Sequence, residues 1–246
     1  MRFTVVCPMH NEEQCVSMWL KNTDILRPSE VLVALDRCTD KTEAVIRHHI
    51  KQNPETNYVI RHYDDSPNGY NMRVAGIRRE LYGLASCDVI LNTATDIFID
   101  PIIVEHLERI GEYGLISFGY FDHPWKIQSF IRYIISSLTP IHGFAGLLGF
   151  SKRAWMETED VADLKHLYRA EDTHLQLAIM KRYPVTHINT RSLHVRPNET
   201  KQDHYLRGVA QYHYRKSVTM NVLHGFVMLR PATIVGYRHA KRGLIK

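Results

Sequence analysis

Residues 88–100 read Asp88-Val89-Ile90-Leu91-Asn92-Thr93-Ala94-Thr95-Asp96-Ile97-Phe98-Ile99-Asp100. The apolar start of this stretch predicts a β-strand, so Asp96 would lie just beyond the carboxyl end of that strand. In open α/β sheets, ligands bind at the carboxyl ends of the strands. A carboxylate within such an apolar run is typical of a ligand for a divalent cation that carries a diphosphate. The stretch therefore points to a nucleotide-type substrate, such as a nucleotide sugar, on a parallel sheet.

The sequence on both sides of this stretch alternates between strand-like and helix-like segments. We predict strands at 2–7, 31–35, 58–62 and 89–91, and helices at 12–21, 42–51 and 70–85, with Asn11 as the N-cap of the first helix. Such alternation is typical of a mostly parallel sheet with helices on both faces. The expected fold class is therefore α/β with a Rossmann-like sheet.

The second half of the chain has a more mixed pattern. Strands are predicted at 115–120 and 185–188, a helix at 171–182, and a glycine-rich apolar segment at 141–150. We expect one large domain over 1–200, with a nucleotide-binding half at 1–100 and an acceptor half at 101–200. A basic helical extension is predicted to follow at 201–246.

The predicted extension is strongly basic. It carries nine Lys and Arg against one acid, Asp203, whereas the first 200 residues carry 22 basic and 25 acidic residues. This charge favours phosphates, whether on nucleic acid, on anionic lipid or on a phosphorylated substrate. A helix packed on the domain and a helix lying against a membrane surface are equally compatible with it. No apolar stretch reaches the ~18 residues that a spanning helix needs.

Composition limits the class of protein. The 246 residues suffice for one large α/β domain. Cys7, Cys15, Cys38 and Cys87 show no metal-type spacing, which predicts reduced thiols and a cytoplasmic location.

Two further motifs follow predicted strands. In Val5-Val6-Cys7-Pro8-Met9-His10-Asn11-Glu12-Glu13, Pro8 is expected to fix a sharp turn, while Asn11 and Glu12 offer side-chain bonds to a base or ribose. In Leu35-Asp36-Arg37-Cys38-Thr39-Asp40-Lys41-Thr42, Asp36 ends a strand, where an acid can bond a ribose or a uracil-type edge. Asp40 is a candidate cap for the next helix. A plain strand–turn–helix with a capped helix start is the alternative for the first motif.

The two motifs together resemble the family 2 glycosyltransferases, which have the GT-A fold. Members of that family open with Pro-x-x-Asn-Glu after a strand and continue with an acid followed by a Ser/Thr-Asp-x-Thr turn. The matching residues here are Pro8, Asn11 and Glu12, then Asp36, Thr39, Asp40 and Thr42. The resemblance implies that Pro8, Asn11, Glu12 and Asp36 contact the nucleoside of a nucleotide sugar.

The resemblance extends to the diphosphate and the metal. The segment 68–76 is similar to a family segment whose arginine, here Arg73, lies near the diphosphate, although Val74 stands where members often carry Asn. Ala94-Thr95-Asp96 resembles the Asp-x-Asp motif without its first Asp. The resemblance implies that Thr95 and Asp96 contact the donor, and that Asp96 binds Mg²⁺ or Mn²⁺ together with phosphates and waters.

Three later features complete the resemblance. Glu171-Asp172 looks like the Glu-Asp pair that opens a helix in this family, which implies Asp172 as general base and Glu171 as the residue that orients it or contacts the acceptor. Acids at a helix N-terminus are also common for dipole reasons. His194 corresponds to a late histidine that binds the metal in many GT-A enzymes, although a lone histidine is often structural. Residues 143–153 resemble the glycine-rich acceptor strand, for which close strand packing is the alternative.

The sequence thus predicts an inverting, metal-dependent glycosyltransferase. Its expected partners are a UDP- or GDP-sugar donor and an acceptor glycan, lipid or protein, with peripheral membrane contact through the basic C-terminus. A nucleotide- or nucleic-acid-binding α/β protein is an alternative because Tyr212, Tyr214, Arg215 and Lys216 mix aromatic and basic side chains. These residues match no RNA-binding signature, so no nucleic acid partner is expected. A sugar nucleotidyltransferase is the nearer alternative, but the Pro8–Glu12 loop is not glycine-rich.

Overall fold

The computed structural model of the chain describes residues 1–65, 72–122, 146–158, 171–195, 209, 212 and 231–242. These residues form an α/β fold around one eight-stranded sheet in the order β3-β2-β1-β4-β7-β6-β8-β5. The strands are β1 (Phe3–Met9), β2 (Glu30–Asp36), β3 (Tyr58–Tyr63), β4 (Val89–Asn92), β5 (Ile97–Phe98), β6 (Leu115–Asp122), β7 (Leu148–Ser151) and β8 (Val185–His194).

Helices flank the sheet. They are α1 (Val16–Leu26), α2 (Thr42–Gln52), α3 (Arg73–Leu84), α4 (Ile103–Leu107), α5 (Lys152–Thr158), α6 (Glu171–Met180) and α7 (Pro231–Lys241), with a 3₁₀ turn at Glu108–Gly111 after α4. The predicted α/β class, with strands alternating with helices in the first half, is confirmed.

The first half of the sheet is parallel. β1 pairs with β2 on one side and with β4 on the other, and β3 pairs with β2, all in parallel register. Strands in this arrangement are buried on both faces, which explains the continuous apolar runs in the sequence. Their carboxyl ends meet at one edge. The residues predicted to contact the nucleoside lie at or near those ends.

The second half is mixed. β7 lies antiparallel between β4 and β6, β8 runs parallel to β6, and β5 runs antiparallel to β8. β8 is longer than the predicted strand at 185–188, so His194 is its last residue and does not follow the strand. β5 was not predicted, and it places Ile97 opposite His194. The site residues on either side of this pairing are thereby brought together.

The core has two layers, one on each face of the sheet. One layer packs Val5 and Val33 against α1, α2 and α4, and the other packs Val6 and Leu32 against α3, α5 and α6. Alternate residues of a strand point to opposite faces, so each buried strand contributes to both layers.

The described part of the predicted extension is the helix α7 with residues 209 and 212. Tyr237 and Ala240 on α7 are buried, and the Tyr237 ring meets the ring of Tyr212 edge-on at 5.7 Å. This face of α7 is packed on protein. The rest of the predicted extension lies outside the described residues, including Tyr214, Arg215 and Lys216. Across the described parts of the chain, no helix has the length and apolarity to cross a membrane.

Gly149 on β7 belongs to the glycine-rich segment, for which close strand packing was the alternative explanation. A Cβ added there would clash with Leu107 and lie 3.2 Å from Phe118. We expect Gly149→Ala to destabilise the protein by about 1–3 kcal/mol, because it overpacks this buried contact. Urea denaturation measures the loss. Gly83→Ala is the control, since a Cβ there meets only Trp155 at 4.0 Å, and an equal loss in both variants would contradict the packing account.

Candidate active site

The loop after β1 and the loop after β2 are joined by side chains. Asn11 adopts a left-handed backbone with φ 53°, and its Oδ1 accepts hydrogen bonds from the backbone N–H groups of Thr39 and Asp40 at 2.8 Å and 3.3 Å. The predicted N-cap role of Asn11 is therefore wrong, because α1 begins only at Val16 and the Asn11 side chain serves the neighbouring loop. Asn11 instead shapes the surface between the two strand ends.

Pro8 also lies elsewhere than predicted. It is part of β1, in register with Ala34, so it does not form the turn. The chain turns after Met9, where His10 Nδ1 donates a 2.6 Å hydrogen bond to the backbone carbonyl of Asp36. The left-handed residue at this turn is Asn11.

Asp40 ties the same two loops together. Its Oδ1 accepts from the Thr42 N–H at the start of α2, and its Oδ2 accepts from the Glu13 N–H, both at 3.0 Å. Asp40 therefore bonds the first N–H of α2, but the N-cap residue of that helix is Lys41 and not Asp40. The Glu12 N–H donates to Thr42 Oγ1 at 2.7 Å, so the two sequence motifs build one continuous surface.

Asp36, at the end of β2, forms an ion pair with two arginines. Arg73 donates to Asp36 Oδ1 from Nε at 3.0 Å and from a terminal guanidinium nitrogen at 2.7 Å, and Arg37 donates from Nε at 3.0 Å. Burial alone would raise the pKa of Asp36, but these bonds outweigh burial and lower it below its usual value. All three bonds use Oδ1, so among the described contacts Oδ2 stays available to a ligand.

The Asp36 contacts predict a pH-dependent stability. A lowered folded-state pKa contributes stability above the unfolded-state value of about 3.9, and this contribution is lost as the pH falls through the folded-state pKa. We expect Asp36→Asn to lower the free energy of unfolding by about 1–2 kcal/mol at pH 7. The difference from wild type should shrink below about pH 4. Urea denaturation at both pH values measures it, and a constant difference would contradict the assignment.

Asp96 and His194 meet at the same edge of the sheet. Asp96 lies in the turn after β4, His194 ends β8, and His194 Nε2 is 3.2 Å from Asp96 Oδ2. The two side chains are 17% and 20% exposed, so they are accessible but partly shielded. The buried Thr95 side chain underlies the turn, and the backbone carbonyl of Asp96 accepts a 2.8 Å hydrogen bond from the Val195 N–H.

Asp100 holds this arrangement from the other side. Its Oδ1 accepts from the Ile102 N–H at 3.1 Å, at the start of the turn that leads into α4, and its Oδ2 accepts from the Arg191 N–H at 3.0 Å. Its own N–H donates to Ser192 Oγ at 2.9 Å. Asp100 therefore fastens the Asp96 turn to β8, and both of its carboxylate oxygens already have partners.

The Asp96–His194 pair fits two adjacent ligands of one metal ion. Adjacent ligands of an octahedral ion with bond lengths near 2.1 Å lie ~3.0 Å apart, close to the observed 3.2 Å. A carboxylate oxygen suits Mn²⁺ or Mg²⁺ when phosphates and waters complete the shell, and an imidazole nitrogen beside it favours the transition metal Mn²⁺ over Mg²⁺. The described residues contain no group of three or more metal-ligating side chains.

Glu171 and Asp172 open α6, as predicted. Glu171 is buried and forms an ion pair with Arg78 of α3. Asp172 is only partly buried, and its Oδ1 accepts a 2.8 Å hydrogen bond from the Thr173 N–H. The charge of Asp172 also acts on Arg78 and on Tyr82. Of the two acids, Asp172 is therefore the one that a substrate hydroxyl can reach more easily.

The Cys7 thiol near the end of β1 is within electrostatic range of several site residues. It is fully buried, and burial raises its pKa well above the ordinary value. The charges that act on this thiol are Arg78, Glu12 and Asp96.

Two residues near the site, Arg78 and Tyr120, were not predicted from the sequence. Arg78 pairs with Glu171, the Tyr120 ring lies 5.5 Å from the His194 ring, and a Cβ at Gly146 would lie 3.3 Å from the Tyr120 hydroxyl. An arginine on the apolar side of α3, one turn before Tyr82, is the signal that could have identified Arg78. Tyr120 gives no local signal, because it reads as an ordinary strand aromatic.

The structure resembles known glycosyltransferases. A mannosyltransferase, PcManGT from Pyrobaculum calidifontis, solved with GDP-Man and Mn²⁺, matches 97% of this chain and 73% of its own, at 15% identity and TM-score 0.65. Glucosyl-3-phosphoglycerate synthase from Mycobacterium tuberculosis, solved with Mn²⁺, UDP and glucosyl-3-phosphoglycerate, matches 83% of this chain and 75% of its own, at 15% identity and TM-score 0.58. Residues 1–349 of S. aureus TarS match 88% of this chain and 67% of their own, at 13% identity and TM-score 0.60.

These similarities define the fold of the chain as that of the GT-A glycosyltransferases, as the sequence motifs implied. No protein-family model matches the sequence, and a search among curated proteins finds no match either. At the identities of 13% to 15%, the shared property is the fold, and the chemistry must be argued from the site.

Proposed function

We propose that the protein is a metal-dependent glycosyltransferase that moves a sugar from a nucleoside-diphosphate sugar to an acceptor. The observation that carries the proposal is the 3.2 Å contact between Asp96 and His194 at the carboxyl edge of the sheet. The solved neighbours with GDP-Man and Mn²⁺, and with UDP and Mn²⁺, support this choice of donor and metal.

The donor nucleoside would lie over the ends of β1 and β2. Asp36 Oδ2 and the loop of Asn11 and Glu12 line that surface, with Pro8 at its base. Asp36 ends β2 and Asp96 lies in the turn after β4, and these two strands lie on either side of β1. Two strand spacings separate β2 from β4 by ~10 Å, a span that a nucleoside diphosphate can cover. Arg73, held on Asp36, adds positive charge beside the path of the diphosphate.

At the Asp96 end of the site, the reaction must stabilise the departing diphosphate. A Mg²⁺ or Mn²⁺ ion bound there supplies Lewis-acid stabilisation of the charge that develops on the departing diphosphate. Asp96 and His194 would hold this ion, and the buried Thr95 keeps the Asp96 turn in place. The 3.2 Å separation of Asp96 Oδ2 and His194 Nε2 is the observation that fits both side chains as ligands of the same ion.

At the α6 end of the site, the acceptor hydroxyl must lose its proton. We assign Asp172 as the general base that takes the proton of the acceptor hydroxyl as its oxygen attacks the anomeric carbon. Attack from the side opposite the diphosphate forms the new glycosidic bond as the bond to the diphosphate breaks, which inverts the anomeric centre. Glu171, which forms an ion pair with Arg78, would position Asp172.

A donor screen tests the proposal. Thermal unfolding is measured with a panel of UDP- and GDP-sugars, each with and without Mn²⁺, and positive donors are then assayed for nucleoside-diphosphate release with candidate glycan, lipid and protein acceptors. We expect at least one donor to raise the melting temperature only when Mn²⁺ is present. Release of a nucleoside diphosphate supports glycosyl transfer, whereas formation of a nucleoside triphosphate from donor and pyrophosphate would identify a nucleotidyltransferase. NMR of the product's anomeric configuration tests inversion.

A further inference from the structure

Arg78 is a buried arginine whose ion-pair partner is the residue before the proposed base. It extends from α3 and is 8% exposed, and Glu171 at the first position of α6 is also 8% exposed. Burial alone would lower the pKa of Arg78, but the negative charge of Glu171 outweighs it and raises the pKa above the ordinary value. Arg78 therefore stays charged at any pH at which the protein is folded.

The ion pair joins two elements that are far apart in sequence. Arg78 and Glu171 are separated by 93 positions, and Asp172 directly follows Glu171. The link therefore fixes the first turn of α6 against α3, which packs on the central strands β1 and β2. Because the backbone of a helix is stiff, the position of Glu171 determines the position of Asp172.

Stability alone is a weak reason for such a pair. Two charges lose much of their hydration when buried, so apolar residues of similar volume often stabilise a core as well or better. Arg78 Nε and Asn92 Nδ2 are buried with no hydrogen-bond partner among the described residues.

We propose that Arg78 is a positioning residue that holds Asp172 at the acceptor through its ion pair with Glu171. This inference rests on the proposed function, because it needs Asp172 to act as the base. Arg78 follows Arg73 by five helical positions, so the two arginines lie ~140° apart around α3. Substitution of Arg78 therefore leaves the Asp36–Arg73 contact on the donor side in place.

The test compares donor binding with turnover in matched variants. Arg78→Met removes the cation that faces the buried Glu171 carboxylate and endangers folding, so the double variant Arg78→Met/Glu171→Leu, which removes both charges, is the main test. We expect its kcat to fall roughly 10- to 100-fold, as displaced catalytic groups do, with the Kd for the donor and Mn²⁺ within about twofold of wild type. Arg78→Lys should recover part of the lost kcat, since it keeps the charge opposite Glu171.

The control is Arg47→Met on α2, which breaks the exposed pair between Arg47 and Glu43 and should leave kcat and the donor Kd unchanged. A double variant that keeps kcat within about threefold of wild type would overturn the positioning role. An equal loss of donor affinity and kcat would also overturn it, because general damage to packing produces that result. Absence of sugar transfer by the wild-type protein with every donor would overturn the proposed function and this inference together.

Discussion

Asp96→Ala is expected to abolish the effect of Mn²⁺ on nucleotide binding. The carboxylate is accessible, has His194 at 3.2 Å, and is held in its turn by the bond between its backbone carbonyl and Val195. Loss of a ligand of a Lewis-acid metal costs several kcal/mol of transition-state stabilisation. We therefore expect kcat/KM to fall by ~10²–10³-fold or more.

Calorimetry with UDP and GDP, each with and without Mn²⁺, measures this effect. In wild type, Mn²⁺ should tighten binding of the preferred nucleotide, and in Asp96→Ala the two titrations should coincide. Asp88→Ala is the matched control, since Asp88 lies at the other end of β4, where it bonds Ser151 and the start of α5. The metal assignment is wrong if Asp96→Ala keeps the full increase in affinity with Mn²⁺.

Asp172→Asn is expected to bind the donor as wild type does but to lose transfer. The amide has nearly the shape of the carboxylate, keeps an acceptor for the Thr173 N–H, and cannot take a proton from the acceptor hydroxyl. General base catalysis contributes ~10²–10⁴-fold, so kcat should fall by that factor.

Single-turnover assays with saturating donor separate this chemical step from binding. Glu157→Gln serves as the control, because Glu157 is an exposed acid on the neighbouring α5, paired with Arg153, and its turnover should match wild type. A turnover of Asp172→Asn close to that of wild type would show that another group, or the solvent, accepts the proton.

The parallel half of the sheet was predictable from local sequence. Apolar runs such as Val31–Leu35 mark strands buried on both faces, and the polar residues after them mark the ligand edge. Asp36 and Asp96 were identified in this way, and the structure places both at that edge. The bond from the Thr42 N–H to Asp40 could be anticipated from neighbouring residues, although the N-cap of α2 is Lys41.

The rest depended on contacts between distant residues. Asn11 was predicted as a cap, but Thr39 and Asp40 from another loop use its side chain. The two residues of β5 are too few for a period to be read, and they form a strand only because β8 lies beside them. The partner of Glu171 could not be read from sequence, because nothing local indicates that Arg78, on another helix, meets it.

The most direct test of the account is a crystal structure with Mn²⁺ and a nucleoside diphosphate, in which anomalous scattering locates the manganese. We expect one manganese ion between the Asp96 carboxylate and His194 Nε2, in contact with the diphosphate. The nucleoside should lie over Asp36. A manganese ion and diphosphate bound elsewhere, while His194 still contacts Asp96 directly, would contradict it.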